Sequence, residues 1–198
     1  MTKVPKLGLD TVMSLSDVDI QKELKTGGVL ISDFDPKRLQ PASYDVLLGN
    51  EFMVFDTHKV KCIDPREPVS EYMTKVVLKD DEEFILHPNQ FALGVTFDKI
   101  GVNEKFACQV MGKSSLARLG LIIHTTAGFI DPGNNLNITL EFVNANSIPI
   151  KLYPKMKIAQ VAFYELRTPA QKPYGHKDLN SKYLGSTTVE ASEMHRNY

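Results

Sequence analysis

From Gly28 onward the hydrophobic period of this chain is two, and turn residues interrupt it every few positions. Apolar or alternating runs recur at residues 43–48, 52–55, 76–78, 84–86, 91–97, 106–111, 121–124, 136–143, 148–153 and 157–166. Between them stand turn formers: Pro41, Gly49-Asn50, Asp80-Asp81, Pro88-Asn89, Asp131-Pro132-Gly133 and the polar stretch 144–147. Many short strands at close spacing predict an antiparallel β-sandwich or barrel. A doubly wound α/β fold is excluded, because it needs helical stretches of about 10–15 residues between strands.

One helix is expected before this region. Ser16 is a candidate N-cap and Asp19 completes a shortened capping box. Ile20 and Leu24 share a face, and Gly27-Gly28 ends the helix. The chain therefore divides into an extension (1–14), a β domain (15–167) and a polar arm (168–198) that reads as flexible.

With 198 residues the chain is long enough for a real core. Its net charge is -1, which lacks the broad basic field of a duplex binder, so polymeric nucleic acid is not an expected partner. No run approaches the roughly 20 apolar residues that span a bilayer, so no membrane association is expected. Cys62 and Cys108 are far apart and have no CxxC partner, which argues against a zinc knuckle or a disulfide framework. Two free thiols fit a reducing compartment, and a cytoplasmic location is the expectation.

The run 136–142 is the most informative. Leu136, Ile138, Leu140 and Phe142 alternate with Asn137, Thr139 and Glu141. In a strand the two sets face opposite sides, so Glu141 points away from the core, toward water, a ligand or another subunit. The next run alternates likewise, with Ile148, Ile150 and Leu152 inward, and Pro149 marks it as an edge.

The densest polar cluster runs from Gly112 to Glu141. Its Gly-Lys-Ser is not a P-loop: Ala107 stands where that motif needs its first glycine, and no long helix follows. Two hydroxyls, a cation and free backbone amides at 113–118 still suit phosphate oxygens as well as they suit a solvated turn. By residue type alone Glu141 reads as solvated, Asp131 as a turn former and His124 as a hydrogen-bonded structural residue.

Taken together, Gly112-Lys-Ser-Ser-Leu-Ala-Arg-Leu-Gly-Leu121, Thr126-Ala-Gly-Phe-Ile-Asp-Pro-Gly133 and Ile138-Thr-Leu-Glu-Phe142 closely resemble the dCTP deaminases, relatives of the trimeric dUTPases. Gln40-Pro-Ala-Ser-Tyr-Asp-Val46, Pro154-Lys-Met-Lys-Ile-Ala-Gln160, Pro173-Tyr-Gly175 and Ser181-Lys-Tyr183 extend the likeness to most of the chain. The resemblance implies a mainly β fold, a distorted antiparallel barrel of the dUTPase-like type. It implies a homotrimer with active sites between subunits, and deamination of dCTP to dUTP and ammonia.

The resemblance also implies roles. Glu141 would be the general base, with Ser114 and the carbonyl of Ala127 orienting the water and Arg118 balancing charge. Lys113, Ser114, Ser115, Leu116, Ala117 and Arg118 would line the nucleotide site. Asp131 would meet the deoxyribose 3′-hydroxyl, Thr139 and Leu140 would offer backbone contacts to the base, and Gln160 would position the nucleotide. Tyr174 and Lys182 would close over the triphosphate, and Ser186 stands where a glutamine usually meets phosphate. Mg²⁺ would travel with the triphosphate, and zinc is not expected, because the zinc deaminase motif is missing. The further candidate ligands are dUTP and dTTP.

The chain departs from the family pattern at Asn134-Asn135-Leu136, Leu47, Lys155 and Ser186. The main reading is a deaminase that stops at dUTP. The alternative is a two-step enzyme that also cleaves dUTP to dUMP, which the segment 126–131 resembles. A plain dUTPase would not need Glu141 and would carry a glycine-rich tail, and a silent nucleotide-binding module would have no use for Ser114, Arg118 and Glu141 together.

Overall fold

The computed structural model describes residues 13–124 and 126–198. Most of the 1–14 extension, and Thr125, lie outside the described residues. In chain order the elements are β1 (Met13–Ser14), α1 (Asp17–Thr26), β2 (Val29–Ile31), β3 (Leu39–Gln40), β4 (Ser43–Phe55), β5 (Met73–Val77), β6 (Phe84–Leu86), β7 (Phe91–Val102) and β8 (Phe106–Gly112). Then come α2 (Ser114–Ala117), β9 (Leu121–Ile123), β10 (Phe129–Ile130), β11 (Asn135–Asn144), β12 (Ile150–Leu152) and β13 (Lys157–Glu165). The fold is mainly β, as the alternation predicts, and every strand pairing is antiparallel.

Helix α1 forms where its local signals put it. The Ser16 hydroxyl accepts from Asp19 N at 3.2 Å, and the Asp19 carboxylate accepts from Ser16 N at 3.1 Å. Gly27 ends the helix in the left-handed region at φ 79°, where a β-carbon would be strained. Ile20 is fully buried against the barrel.

The main path of the sheet runs β10-β8-β13-β4-β7-β11-β9. Strand β4 turns the corner. Its first half pairs with β13, its second half pairs with β5, and residues around the bend pair with β7. The expected turn at Gly49-Asn50 is instead a bulge inside one continuous strand, between Leu48 and Phe52. A β-carbon on Gly49 would sit 2.9 Å from the Val95 carbonyl oxygen, so glycine admits this close approach.

Inside the curled sheet lie Tyr44, Leu48, Phe52, Leu140, Phe142, Ile158 and Phe163, each fully buried. The rings of Phe52 and Phe84 stack with centroids 4.2 Å apart. The expected alternation of β11 holds along its whole length, with Leu136, Ile138, Leu140 and Phe142 buried. Among the described residues strand β12 pairs only with β6, as Pro149 implies, but Ile148 is exposed, because the strand begins after the proline.

A second apolar cluster sits on the outer side of the barrel. Met53, Val69, Met73, Leu93 and Val95 gather there, and Val189 and Ala191 of the arm complete it. The arm expected to be loose is thus packed against β4, β5 and β7 in the free chain. Among the described residues no helix is long and apolar enough to cross a membrane.

Candidate active site

Strand β11 carries the site because its two faces differ. The inward residues fix the strand in the core, and that leaves Thr139 and Glu141 facing outward with a settled register. The pairing with β7 slips between Asn137 and Thr139. Thr96 fills the slip: its hydroxyl accepts from Ile138 N at 2.8 Å, and its carbonyl accepts from the Asn137 amide at 2.9 Å. A polar core residue therefore sets the point at which the outward side chains of β11 emerge.

Above this face is a cavity of about 460 Å³. Glu141, Ala127, Asp131, Thr139, Tyr174 and Ser186 line it, together with His124 and Glu190. Glu141 is half-buried and accepts from the Thr126 hydroxyl at 3.2 Å. The His124 amide bonds the Glu141 carbonyl at 3.1 Å, so β9 and β11 continue their pairing to the edge of the cavity. His124 then takes φ 57°, and its ring Nε2 lies 2.8 Å from the Ala127 oxygen. A carbonyl can only accept, so Nε2 carries the proton. The buried Nδ1 has no partner among the described residues. The carbonyl expected to orient water is thus fixed in place by His124 and keeps a second lone pair for another donor.

The Asp131-Pro132-Gly133 turn is joined to the root of the arm. Tyr174 N bonds the Pro132 carbonyl at 2.7 Å. Gly133 has φ 86°, and a β-carbon there would come within 2.6 Å of Pro173. The Tyr174 hydroxyl in turn accepts from Lys182 N and Tyr183 N at 3.2 and 3.1 Å, folding the arm back on itself. Leu140 is fully buried, so only its backbone can reach a ligand.

The other expected site residues lie elsewhere on the single chain. Lys113 caps α2, and Ser114, Ser115, Ala117 and Arg118 are exposed on that helical turn, while Leu116 packs against the core. None of them lines the Glu141 cavity. The Lys113 ammonium is held by buried Asp45 at 2.5 Å, and Lys157 reaches the other oxygen of the same carboxylate at 3.3 Å. Gln160 bridges the Ser43 hydroxyl and the Gly112 carbonyl. Lys182 donates to the Asn197 side chain at 2.7 Å, and the Ser186 hydroxyl bonds the Thr188 carbonyl. His124 and Glu190 line the cavity without having been expected there. Only His124 carried a signal, its place at the end of a strand.

Among the described residues no group of three or more His, Cys, Asp or Glu comes together in a way that could hold a metal ion.

A curled antiparallel sheet with an outward carboxylate over a cavity defines a mainly β architecture, and the known proteins it matches share it. The solved 2′-deoxycytidine 5′-triphosphate deaminase from Agrobacterium tumefaciens superposes with a TM-score of 0.61 at 19% identity, covering 79% of this chain. The match takes in 49% of that longer chain, and at this identity it speaks for the fold. The family model described as dCTP deaminase-like matches residues 14–166, so the chain belongs to that family. Curated relatives named dCTP deaminase, dUMP-forming are 47% identical in Clavibacter michiganensis subsp. michiganensis, 45% in Nocardioides sp. and 46% in Corynebacterium jeikeium. Each alignment covers 94% of this chain, and 92%, 97% and 99% of the respective relative.

Proposed function

We propose that this protein deaminates dCTP and carries the product on to dUMP. The observation that carries the first half is Glu141, held half-buried by β11 at the wall of a cavity of nucleotide size. In this reading a water attacks C4 of the cytosine ring, and Glu141 takes the proton that the water loses. That proton passes from Glu141 to ring N3 and stays there, and the remaining proton of the C4 hydroxyl passes through Glu141 to the leaving amine. Ammonia departs, and a C4 carbonyl remains. The Ala127 carbonyl, fixed by His124, accepts a hydrogen bond from the attacking water.

Ser114 and Arg118 complete the chemistry from a neighbouring subunit of a homotrimer. Their exposure on α2, away from the cavity of their own chain, supports this arrangement. Mg²⁺ enters as part of the substrate, on the triphosphate. The protein would act in the cytoplasm.

The names of the relatives support the second half, because all three are called dUMP-forming. There the bond between the α- and β-phosphates of dUTP is hydrolysed to dUMP and pyrophosphate. In this reading Asp131, which lines the cavity, positions water for that step. The competing reading, release of dUTP, is favoured by one observation: the loop after Asp131-Pro132-Gly133 is Asn134-Asn135-Leu136, outside the family pattern.

Product analysis decides. The protein is incubated with dCTP and Mg²⁺, and ammonia, dUTP, dUMP and pyrophosphate are followed. Ammonia and pyrophosphate in equal amounts are expected. Ammonia without pyrophosphate makes it the simple deaminase, pyrophosphate from dUTP without ammonia from dCTP makes it a dUTPase, and tight dCTP binding without turnover makes it a silent module.

A further inference from the structure

We infer that Glu51 is a positioning residue: through its carboxylate it anchors the C-terminal arm as one wall of the Glu141 cavity. This rests on the reading of that cavity as the nucleotide site. Glu51 lies on the second half of β4, opposite Val77 of β5 and far from the cavity in sequence. Its Oε2 accepts from both the Thr188 hydroxyl and Val189 N, the latter at 3.2 Å. Lys75 of β5 stands 3.0 Å from the same carboxylate and donates to the Thr188 hydroxyl at 2.7 Å. One carboxylate thus gathers a lysine, a hydroxyl and a backbone amide at one point of the arm.

The anchor point lies next to the cavity wall in sequence. Ser186, Glu190, Ala191 and Ser192 all line the cavity, and Thr188 and Val189 fall between them. The stretch is pinned at two further places: Asn137 N bonds the Ser186 carbonyl at 2.8 Å, and Glu190 N bonds the Thr139 hydroxyl at 3.4 Å. Val189 and Ala191 bury their side chains against Met53, Met73, Leu93 and Val95.

The segment has no helix or strand ladder of its own, so its ordering entropy must be offset by these few contacts. The hydrogen bonds to Glu51 are the charge-assisted ones, which are the strong kind. Burial alone would raise the Glu51 pKa. The bonds from Thr188, Lys75 and Val189 outweigh it and hold the carboxyl below its usual value, so the docked arm and the ionised carboxylate stabilise each other.

The test uses the full chain and two variants, Glu51→Ala and Glu51→Gln. Hydrogen exchange is followed by mass spectrometry on peptides covering 186–192 and 135–144, and dCTP kinetics are measured with Mg²⁺. In Glu51→Ala, exchange in 186–192 is expected to rise about tenfold or more while 135–144, apart from the Asn137 amide that bonds the Ser186 carbonyl, keeps its protection. The KM for dCTP is expected to rise about tenfold with kcat changed less than about threefold, because a lost wall removes ground-state and transition-state binding alike. Glu51→Gln keeps an acceptor for Val189 N and should fall between the two.

Unchanged exchange at 186–192 in Glu51→Ala would overturn the inference. Faster exchange spread equally over 135–144 would overturn it too, by making Glu51 a general stabiliser of the barrel. A released arm with unaltered KM would do the same. If the wild-type chain does not turn over dCTP, the functional reading falls, and exchange alone still decides whether Glu51 holds the arm.

Discussion

The Glu141 cavity and the turn at Lys113–Arg118 both present polar side chains, and both belong to the motifs that carry the family likeness, but the single chain treats them differently. The cavity is assembled: β9, β11, the Asp131 turn and the arm supply walls, and Glu141, His124 and Thr139 each have a defined partner. The turn is only mounted. Asp45 ties its base through Lys113, and Ser114, Ser115 and Arg118 stand exposed on a four-residue helix. A region whose side chains are oriented by internal bonds is shaped within its own chain. A region whose base is fixed and whose side chains are presented outward leaves them open to whatever meets that face, which in the proposed trimer is a neighbouring subunit.

The largest expected effect breaks the cavity. Glu141→Gln should lower deamination by about 10²–10⁴-fold, the range for removing a general base, and leave dCTP binding within a few-fold. A variant that keeps full activity would remove Glu141 from the mechanism. Arg118→Ala should also lose most activity in the pure protein, although its side chain is absent from the cavity wall.

Mixing the two inactive variants sharpens the contrast. If Arg118 serves the neighbour's cavity, subunits exchanged by mild dissociation and reassociation should regain about a quarter of wild-type activity, since random pairing leaves that share of interfaces intact. No recovery in verified mixed oligomers would place both residues in one subunit's site.

Adjacent residues on β11 offer a contrast in stability. Phe142 is fully buried and tilted against Phe52, with ring centroids 6.3 Å apart. Phe142→Ala should cost about 3–5 kcal/mol in denaturant unfolding. Glu141→Gln, on the outward side, should stay within about 0.5 kcal/mol of wild type. Equal losses would mean that the two faces of the strand are not distinct.

The smallest effect concerns the thiols. Cys108 is buried on β8, and desolvation pushes its thiol strongly upward, while Cys62 is exposed. Native protein should react with a thiol-specific dye at Cys62 alone, and both cysteines should react after unfolding. Rapid native labelling of Cys108 would show that the barrel opens at β8.

Features legible in the sequence are those set by neighbours along the chain. The α1 cap, its glycine stop and the outward direction of Glu141 each follow from residues a few positions apart. The bend of β4 was misread as a turn because its cause is Val95, a residue on another strand. The helical turn α2 is too short to show a period. The inward reading of Ile148 fails because Pro149 delays the start of β12. The docked arm was illegible for the strongest reason: Glu51 and Thr188 are 137 positions apart, and the polar composition of the arm conceals two buried apolar residues. For the candidate site residues, alternation gave only the outward direction of Glu141, residue type marked 113–118 as suited to phosphate, the family likeness supplied the roles expected of Glu141, Asp131, Ser114 and Arg118, and the bond from His124 to the Ala127 carbonyl needed coordinates.

Gly133 carries a consequence for protein engineering. Because Pro173 rests where any larger residue would project, the loop after Asp131 and the first residues of the arm form a matched pair, shaped against each other like two halves of a joint. A chimera that borrows the tail of a relative but keeps the native Asn134-Asn135 loop inherits only one half. Swapping both segments at once is the exchange that this geometry permits.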